Sequence, residues 1–164
     1  MVAVRAPHAI DSMQFAWFEL DWQPNGPIPD QVQALESRTR LLKLLRELSE
    51  RIGCEERLLL AGFSQGAMMT LGVALEAPEI CRRVAMMSGT VLPAFLPTES
   101  DRRLDGVPAL VQHGLSDTVL SPEGSRSMAQ VLESYGAQVR HVEYAMGHEV
   151  SYESLRDLKE FLIP

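Results

Sequence analysis

Four short aliphatic runs limit the fold more than any other feature of the chain: Arg57 to Phe63, Arg83 to Ser88, Pro108 to His113 and Gln138 to Tyr144. Each lies between stretches of helical pattern. Strands that alternate with helices build a mainly parallel sheet, because a parallel neighbour is reached only by a long crossover. The last run alternates, which puts Val139, His141 and Glu143 on one face and Val142 and Tyr144 on the other.

The helices are delimited by their end signals. Asp30 is placed to cap a long helix with apolar positions at Val32, Leu35, Leu42, Leu45, Leu48 and Ile52, and Gly53 is placed to end it in a left-handed turn. Others are predicted from about Gln65 to Leu75, from near Pro122 to Gly136, and from about Glu149 to Leu162, where Leu155, Leu158, Phe161 and Leu162 recur at helical spacing. Their apolar faces are read as core. Two stretches resist the pattern. Residues 6–29 hold four prolines and the aromatics Phe15, Trp17, Phe18 and Trp22, and residues 91–107 hold Pro93, Phe95 and Pro97. Long irregular segments of this kind serve as binding loops or lids, or simply as surface connections.

The 164 residues suffice for one domain with a real core. Fifteen basic against 22 acidic residues give a net charge of -7, which argues against nucleic acid or an anionic membrane as partner. Cys54 and Cys81 show neither metal-ligand spacing nor a disulfide framework and are expected in the core. The first residues contain no basic segment followed by an apolar stretch, and no apolar run approaches membrane-spanning length. A soluble, cytoplasmic protein is expected, with no stable membrane insertion.

The second half of LLLAGFSQGAMM, residues 58–69, carries the chemistry. Its G-x-S-x-G leaves a predicted buried strand and opens a predicted helix, the context of a nucleophile elbow. Gly62 and Gly66 are expected to be required because side chains there would crowd strand and helix. Ser64 would sit at a helix N-terminus, with the N–H of Gln65 placed to donate to an oxyanion. A serine hydroxyl needs a base and an orienting acid. Of the four histidines, His8 lies in an early loop, His113 ends a strand and His141 sits inside one; these three are read as structural or exposed. His148 follows the last strand at the carboxyl edge of the sheet, where open α/β folds place their sites. Asp117 lies in the loop after the third run, while Asp101 and Asp105 occupy a charged, solvated loop. Ser64, Asp117 and His148 thus come in the order of the α/β-hydrolase triad.

VRAP at 4–7, WFEL at 17–20, GFSQGAMM at 62–69, MSG at 87–89, HGLSDTVLSP at 113–122 and MGHEVS at 146–151 resemble the phospholipase/carboxylesterase group of α/β hydrolases, which includes bacterial carboxylesterases and acyl-protein thioesterases. The resemblance implies hydrolysis of a carboxylic ester or thioester through an acyl-enzyme on Ser64, without metal or organic cofactor, often in a homodimer. The strands and His-Gly-rich loop that open such chains have no counterpart ahead of VRAP. The expected architecture is therefore an N-terminally truncated α/β-hydrolase fold, a single domain with a mainly parallel sheet and helices on both faces. Gln65 is then the assignable oxyanion donor, and Met1 to Arg5 are left to pair beside Arg57 to Phe63, to pair with another subunit, or to stay loose. A dimer or higher homo-oligomer is expected to cover the open edge. Phe15, Trp17, Leu92, Phe95, Val119 and Met146 are candidates to line an acyl or alcohol pocket, with short- to medium-chain esters as substrates. The alternatives are a thioesterase or lysophospholipase of the same group, or a catalytically weak relative that binds small molecules or a partner.

Overall fold

Every aliphatic run becomes a strand. The computed structural model describes residues 1–23, 26–51, 53, 57–99 and 101–163. The chain opens with two antiparallel hairpins, β1 (His8–Ala9) with β2 (Phe15–Ala16), and β3 (Leu20–Gln23) with β4 (Gly26–Pro29). It continues through α1 (Gln31–Arg51), β5 (Leu58–Phe63), α2 (Gln65–Glu76), β6 (Cys81–Met87), β7 (Pro108–Gly114), α3 (Pro122–Ser134), β8 (Gln138–Tyr144) and α4 (Tyr152–Leu162). Strands β5 to β8 lie side by side in sequence order, all parallel. Ile52 and Cys54, both expected in the core, lie outside the described residues. Cys81 is buried, and burial pushes its thiol up to about 12.

The sheet has two unlike faces. Val84, Met86, Ala109 and Val111 join Leu42, Leu45, Leu71, Met128 and Leu132 in an apolar core beneath α1, α2 and α3. Helix α2 is buried continuously from Ala67 to Leu75, as a helix that is apolar all round must be. Its Met68 and Met69 meet Phe18, Ala34, Leu92 and Phe95 in a second cluster, which docks the front of the chain onto α2. Phe95 lies against Gly72, where a Cβ would come within 2.7 Å of the ring. Burying a side chain of that size stabilises by about 1.5–3 kcal/mol.

The opposite face receives α4, and here polar groups make the contact. Gln112 Nε2 donates to Tyr144 Oη at 2.7 Å and to the Ser154 carbonyl at 2.9 Å, and Tyr144 Oη donates to Asp157 at 2.9 Å. The buried positions of α4 are accordingly Ser154 and Asp157, whereas Leu155, expected in the core, is 54% exposed. The helix also starts later than predicted, because Ser151 caps it by accepting from the Ser154 N–H.

Two other expectations change. Residues 6–29 are two hairpins rather than irregular chain; Pro27 and Pro29 are tolerated because β4 is an edge strand. Helix α1 is capped by Asp30 as predicted, through Val32 and Gln33 N–H at 3.0 Å each, but it packs on α2 and on the Pro93–Phe95 turn, which leaves Val32 exposed. The crossover from β6 to β7, expected to be irregular, carries only the short 3-10 turn Pro93–Phe95 among its described residues. Residues 1–5 join no strand, so the outer edge of β5 has no strand partner among the described residues. No helix among them is long and apolar enough to cross a membrane.

Candidate active site

The carboxyl ends of β5, β7 and β8 converge on one point. Strand β5 stops at Phe63, and Ser64 turns the chain with φ 54° and ψ −121°, a left-handed conformation that costs energy for a residue with a Cβ. Its N–H is held by the Met87 carbonyl at 2.8 Å, and its own carbonyl accepts from Ala67 and Met68 as α2 begins. Ser64 occupies the N-cap of α2, yet its hydroxyl does not cap the helix. It is aimed instead at His148 Nε2, 3.0 Å away.

The turn is possible because Gly62 has no side chain: a Cβ there would stand 2.1 Å from the Gly66 carbonyl oxygen. Gly66 differs from expectation, since a Cβ at that position meets nothing within 4 Å. What position 66 contributes is its carbonyl, which fills the space Gly62 leaves and accepts from Thr70 Oγ1.

His148 and Asp117 are held by a second close approach. A Cβ at Gly114 would lie 2.2 Å from the Gly147 carbonyl oxygen, so glycine lets the loop after β8 close onto the end of β7. Leu115 and Ser116 N–H donate to the Tyr144 and Met146 carbonyls, which ties the Asp117 loop to the His148 loop. His148 Nδ1 lies 2.7 Å from Asp117 Oδ2, and the Phe63 ring packs against the imidazole at 4.8 Å between centroids. Asp117 Oδ1 accepts from the Val119 and Leu120 N–H groups, each at 2.9 Å. Burial raises the Asp117 pKa, but the Leu120 amide, the His148 ring and the Val119 amide together outweigh it and hold the carboxyl below its ordinary value. Asp101 and Asp105 are exposed and paired with Arg103 and Arg102.

The other histidines are placed apart from the serine with one exception of detail. His8 lies 3.4 Å from Ser37 Oγ, and His141 lies 3.2 Å from Ser125 Oγ, with burial lowering its pKa. His113, read from the sequence as structural or exposed, is fully buried; its Nε2 hydrogen-bonds the Leu120 carbonyl at 3.0 Å and lies 3.2 Å from Asp117 Oδ2.

A cavity of about 130 Å³ opens beside Ser64. Ser64, Gln65 and Met68 line it from the elbow side, Leu20, Pro27 and Pro29 from the β3–β4 hairpin, and Leu92, Val119 and Leu120 from the loops. Of the six predicted lining residues, Leu92 and Val119 are therefore in place. Phe15 is exposed beneath the Arg5 guanidinium, Trp17 and Phe95 pack in the second apolar cluster, and Met146 is buried outside the cavity lining. Apolar residues in such positions are core. A larger hollow of about 390 Å³ runs along α1, but its lining holds ion pairs such as Arg38–Glu76 and no part of the triad.

Gln65 does more than its amide was assigned. Its Oε1 accepts from Trp17 N–H at 2.7 Å and its Nε2 donates to the Phe18 carbonyl at 2.9 Å, so the residue after the serine fastens the front segment over the elbow. Its own N–H opens α2, where helix amides have no intrahelical acceptor.

Comparison with known proteins follows the geometry. The sequence model described as phospholipase/carboxylesterase matches residues 3–163. The chain is 28% identical over 135 residues to acyl-protein thioesterase 1 of Eremothecium gossypii, covering 78% of this chain and 57% of that protein. It is 24% identical over 156 residues to a probable SOBER1-like carboxylesterase of Arabidopsis thaliana, covering 90% and 58%. The chain thus spans a little over half the length of these relatives. The crystal structure of a carboxylesterase from Mesorhizobium loti superposes with a TM-score of 0.81 at 22% identity, over 96% of this chain and 72% of that one.

Proposed function

Because the chain belongs to the phospholipase/carboxylesterase family and has the α/β-hydrolase fold, we propose that it is a serine hydrolase of carboxylic esters. The observation that carries this reading is the hydrogen-bonded line Ser64 Oγ, His148 Nε2, His148 Nδ1, Asp117 Oδ2 on a serine displayed at positive φ. His148 takes the hydroxyl proton as Ser64 Oγ attacks the acyl carbonyl. Asp117 holds the imidazole in the Nδ1–H tautomer and balances the imidazolium, and the Gln65 amide donates to the oxygen as it gains charge. His148 then gives the proton to the departing alcohol, and water releases the acid by the same route.

The cavity supports small acyl groups. At about 130 Å³ it is well below the 300 Å³ or more typical of drug-sized pockets, and its walls are largely leucine, valine and proline side chains. Short- to medium-chain oxygen esters are the proposed substrates, with the thioesters named for the Eremothecium relative as the alternative. We read residues 1–164 as one domain, and we propose that it assembles as a homodimer covering the outer edge of β5.

The test is turnover of short-chain nitrophenyl esters beside covalent labelling by a fluorophosphonate. Ser64→Ala should abolish labelling and lower kcat by on the order of a million-fold; labelling that survives the substitution would sink the proposal. A second reading, a catalytically weak relative that binds small molecules, draws on Gln65 being the one oxyanion donor assignable among the described residues. The lack of one such donor costs roughly 100-fold to 1,000-fold in turnover. Turnover by the wild-type chain no better than that of Ser64→Ala would favour it.

A further inference from the structure

Ser64 is preceded by an aromatic side chain, Phe63, at the outer edge of the sheet. Strand β5 sends Leu58 and Leu60 against the apolar core beneath the helices, and alternation turns Leu59, Ala61 and Phe63 to the opposite face. Helix α4 packs on β6 and β7 there, and Leu59 and Ala61 are left exposed. Phe63 belongs to neither apolar cluster and is only half-buried. What its ring does meet is the imidazole of His148, 4.8 Å away between centroids and tilted by 46°. Core packing therefore does not account for an aromatic side chain at this position.

The contact has an electrostatic content. A phenyl ring carries negative charge on its faces, and it attracts a cation that lies within about 6 Å of the ring centroid. On the proposed reading the imidazole becomes a cation as Ser64 attacks, so its attraction to the ring is stronger in the transition state than before it. The surroundings let that attraction count. Only 18% of the His148 side chain is exposed, and Asp117 is its one ion-pair partner among the described residues. Where water is largely excluded, a cation gains more from an aromatic face than it does at the surface.

We propose that Phe63 is a positioning residue acting through His148: its ring face receives the imidazolium as it forms and stabilises it. The inference rests on reading Ser64, Asp117 and His148 as the reacting triad. The ring makes and breaks no bond; the proton still passes from Ser64 Oγ to His148 Nε2. A merely structural Phe63 would act through its volume, which leucine largely supplies, and would be indifferent to the charge on the ring face.

The experiment replaces Phe63 in the full chain with mono-, di- and trifluorinated phenylalanine, which keep the shape of the ring while draining charge from its face. Turnover of a short-chain nitrophenyl ester gives kcat and KM separately. kcat should fall stepwise with each added fluorine, by about 3-fold to 30-fold across the series at unchanged KM. Phe63→Leu should lose as much as the most fluorinated ring, and Phe63→Tyr, which keeps an aromatic face, should recover most of what the Leu variant loses. A flat series, a rate that rises with fluorination, a loss confined to KM, or a Tyr variant no better than Leu would each overturn the proposal. Should Phe63→Leu fail to fold, the fluorinated series still decides, because fluorine in place of hydrogen barely alters the size of the ring. Equal turnover by wild type and Ser64→Ala would refute the triad reading and the role of Phe63 with it, whereas a flat series in a chain whose turnover depends on Ser64 refutes Phe63 alone.

Discussion

Asp117 has three hydrogen-bond partners, the Val119 and Leu120 amides and the His148 ring, whereas on the proposed reading the place where an acyl oxygen would gain charge is faced by the single amide assignable among the described residues, that of Gln65. The acid–base half is built from two loops that follow neighbouring strands, and Gly114 locks those loops together. The other half depends on segments far apart in the chain: residues 17–20 are held over the elbow at residue 64 by the Gln65 side chain, by Gln33 and Ser37 of α1 and by the Phe18 cluster on α2. Proton transfer needs fixed angles and receives them from local structure. Charge stabilisation draws on groups that tertiary contacts must bring in, and so it is the more fragile half.

Asp117→Asn strikes the stronger half. It should lower turnover by about 10,000-fold with the fold retained, because the amide favours the wrong imidazole tautomer. The same substitution bears on acid stability. The Asp117 pKa is held below its ordinary value of 3.8 in the folded state, so its contribution is complete above that value and is lost as the pH falls through the lowered one. The Asn variant should lose that part of the pH dependence in urea unfolding midpoints below pH 4. An unaltered profile would show that Asp117 is not the group being titrated.

Gln65→Ala probes the weaker half with a smaller effect. Trp17 N–H and the Phe18 carbonyl lose their partners, which should destabilise the fold by about 1–3 kcal/mol and raise KM as the hairpin wall loosens. The backbone amide survives, so kcat should hold; a fall in kcat at constant KM would place the side chain in the chemistry. The gentlest test concerns the outer edge of β5. Sedimentation at high concentration should show a homodimer, and a monomer throughout would mean that the edge is covered in another way.

Much of the stronger half was legible in the sequence. The alternation of aliphatic runs with helical stretches pointed to a parallel sheet, and Ser64, Asp117 and His148 each lie in the turn or loop after a strand, so spacing along the chain reported their meeting in space. The weaker half was not. The hairpins of residues 6–29 pair through registers such as Asp21 with Ile28, which prolines disguise, and they are placed by contacts of residues 17–20 with Gln65, α1 and α2 rather than by any periodicity. Phe15, Trp17, Phe95 and Met146 were chosen as pocket residues for being apolar, a property that core and cavity walls share.

The contact between α4 and the sheet bears on how the His148 loop is kept in phase. Leucine faces slide over one another at little cost, but the Gln112 amide bridging Tyr144 and Ser154 accepts one rotation of the helix and rejects its neighbours. Helix α4 begins four residues after His148. A turn of α4 about its own axis would break that bridge, so the polar seam acts as a detent, a notch that holds the start of α4, and with it the loop carrying His148, at one angular setting.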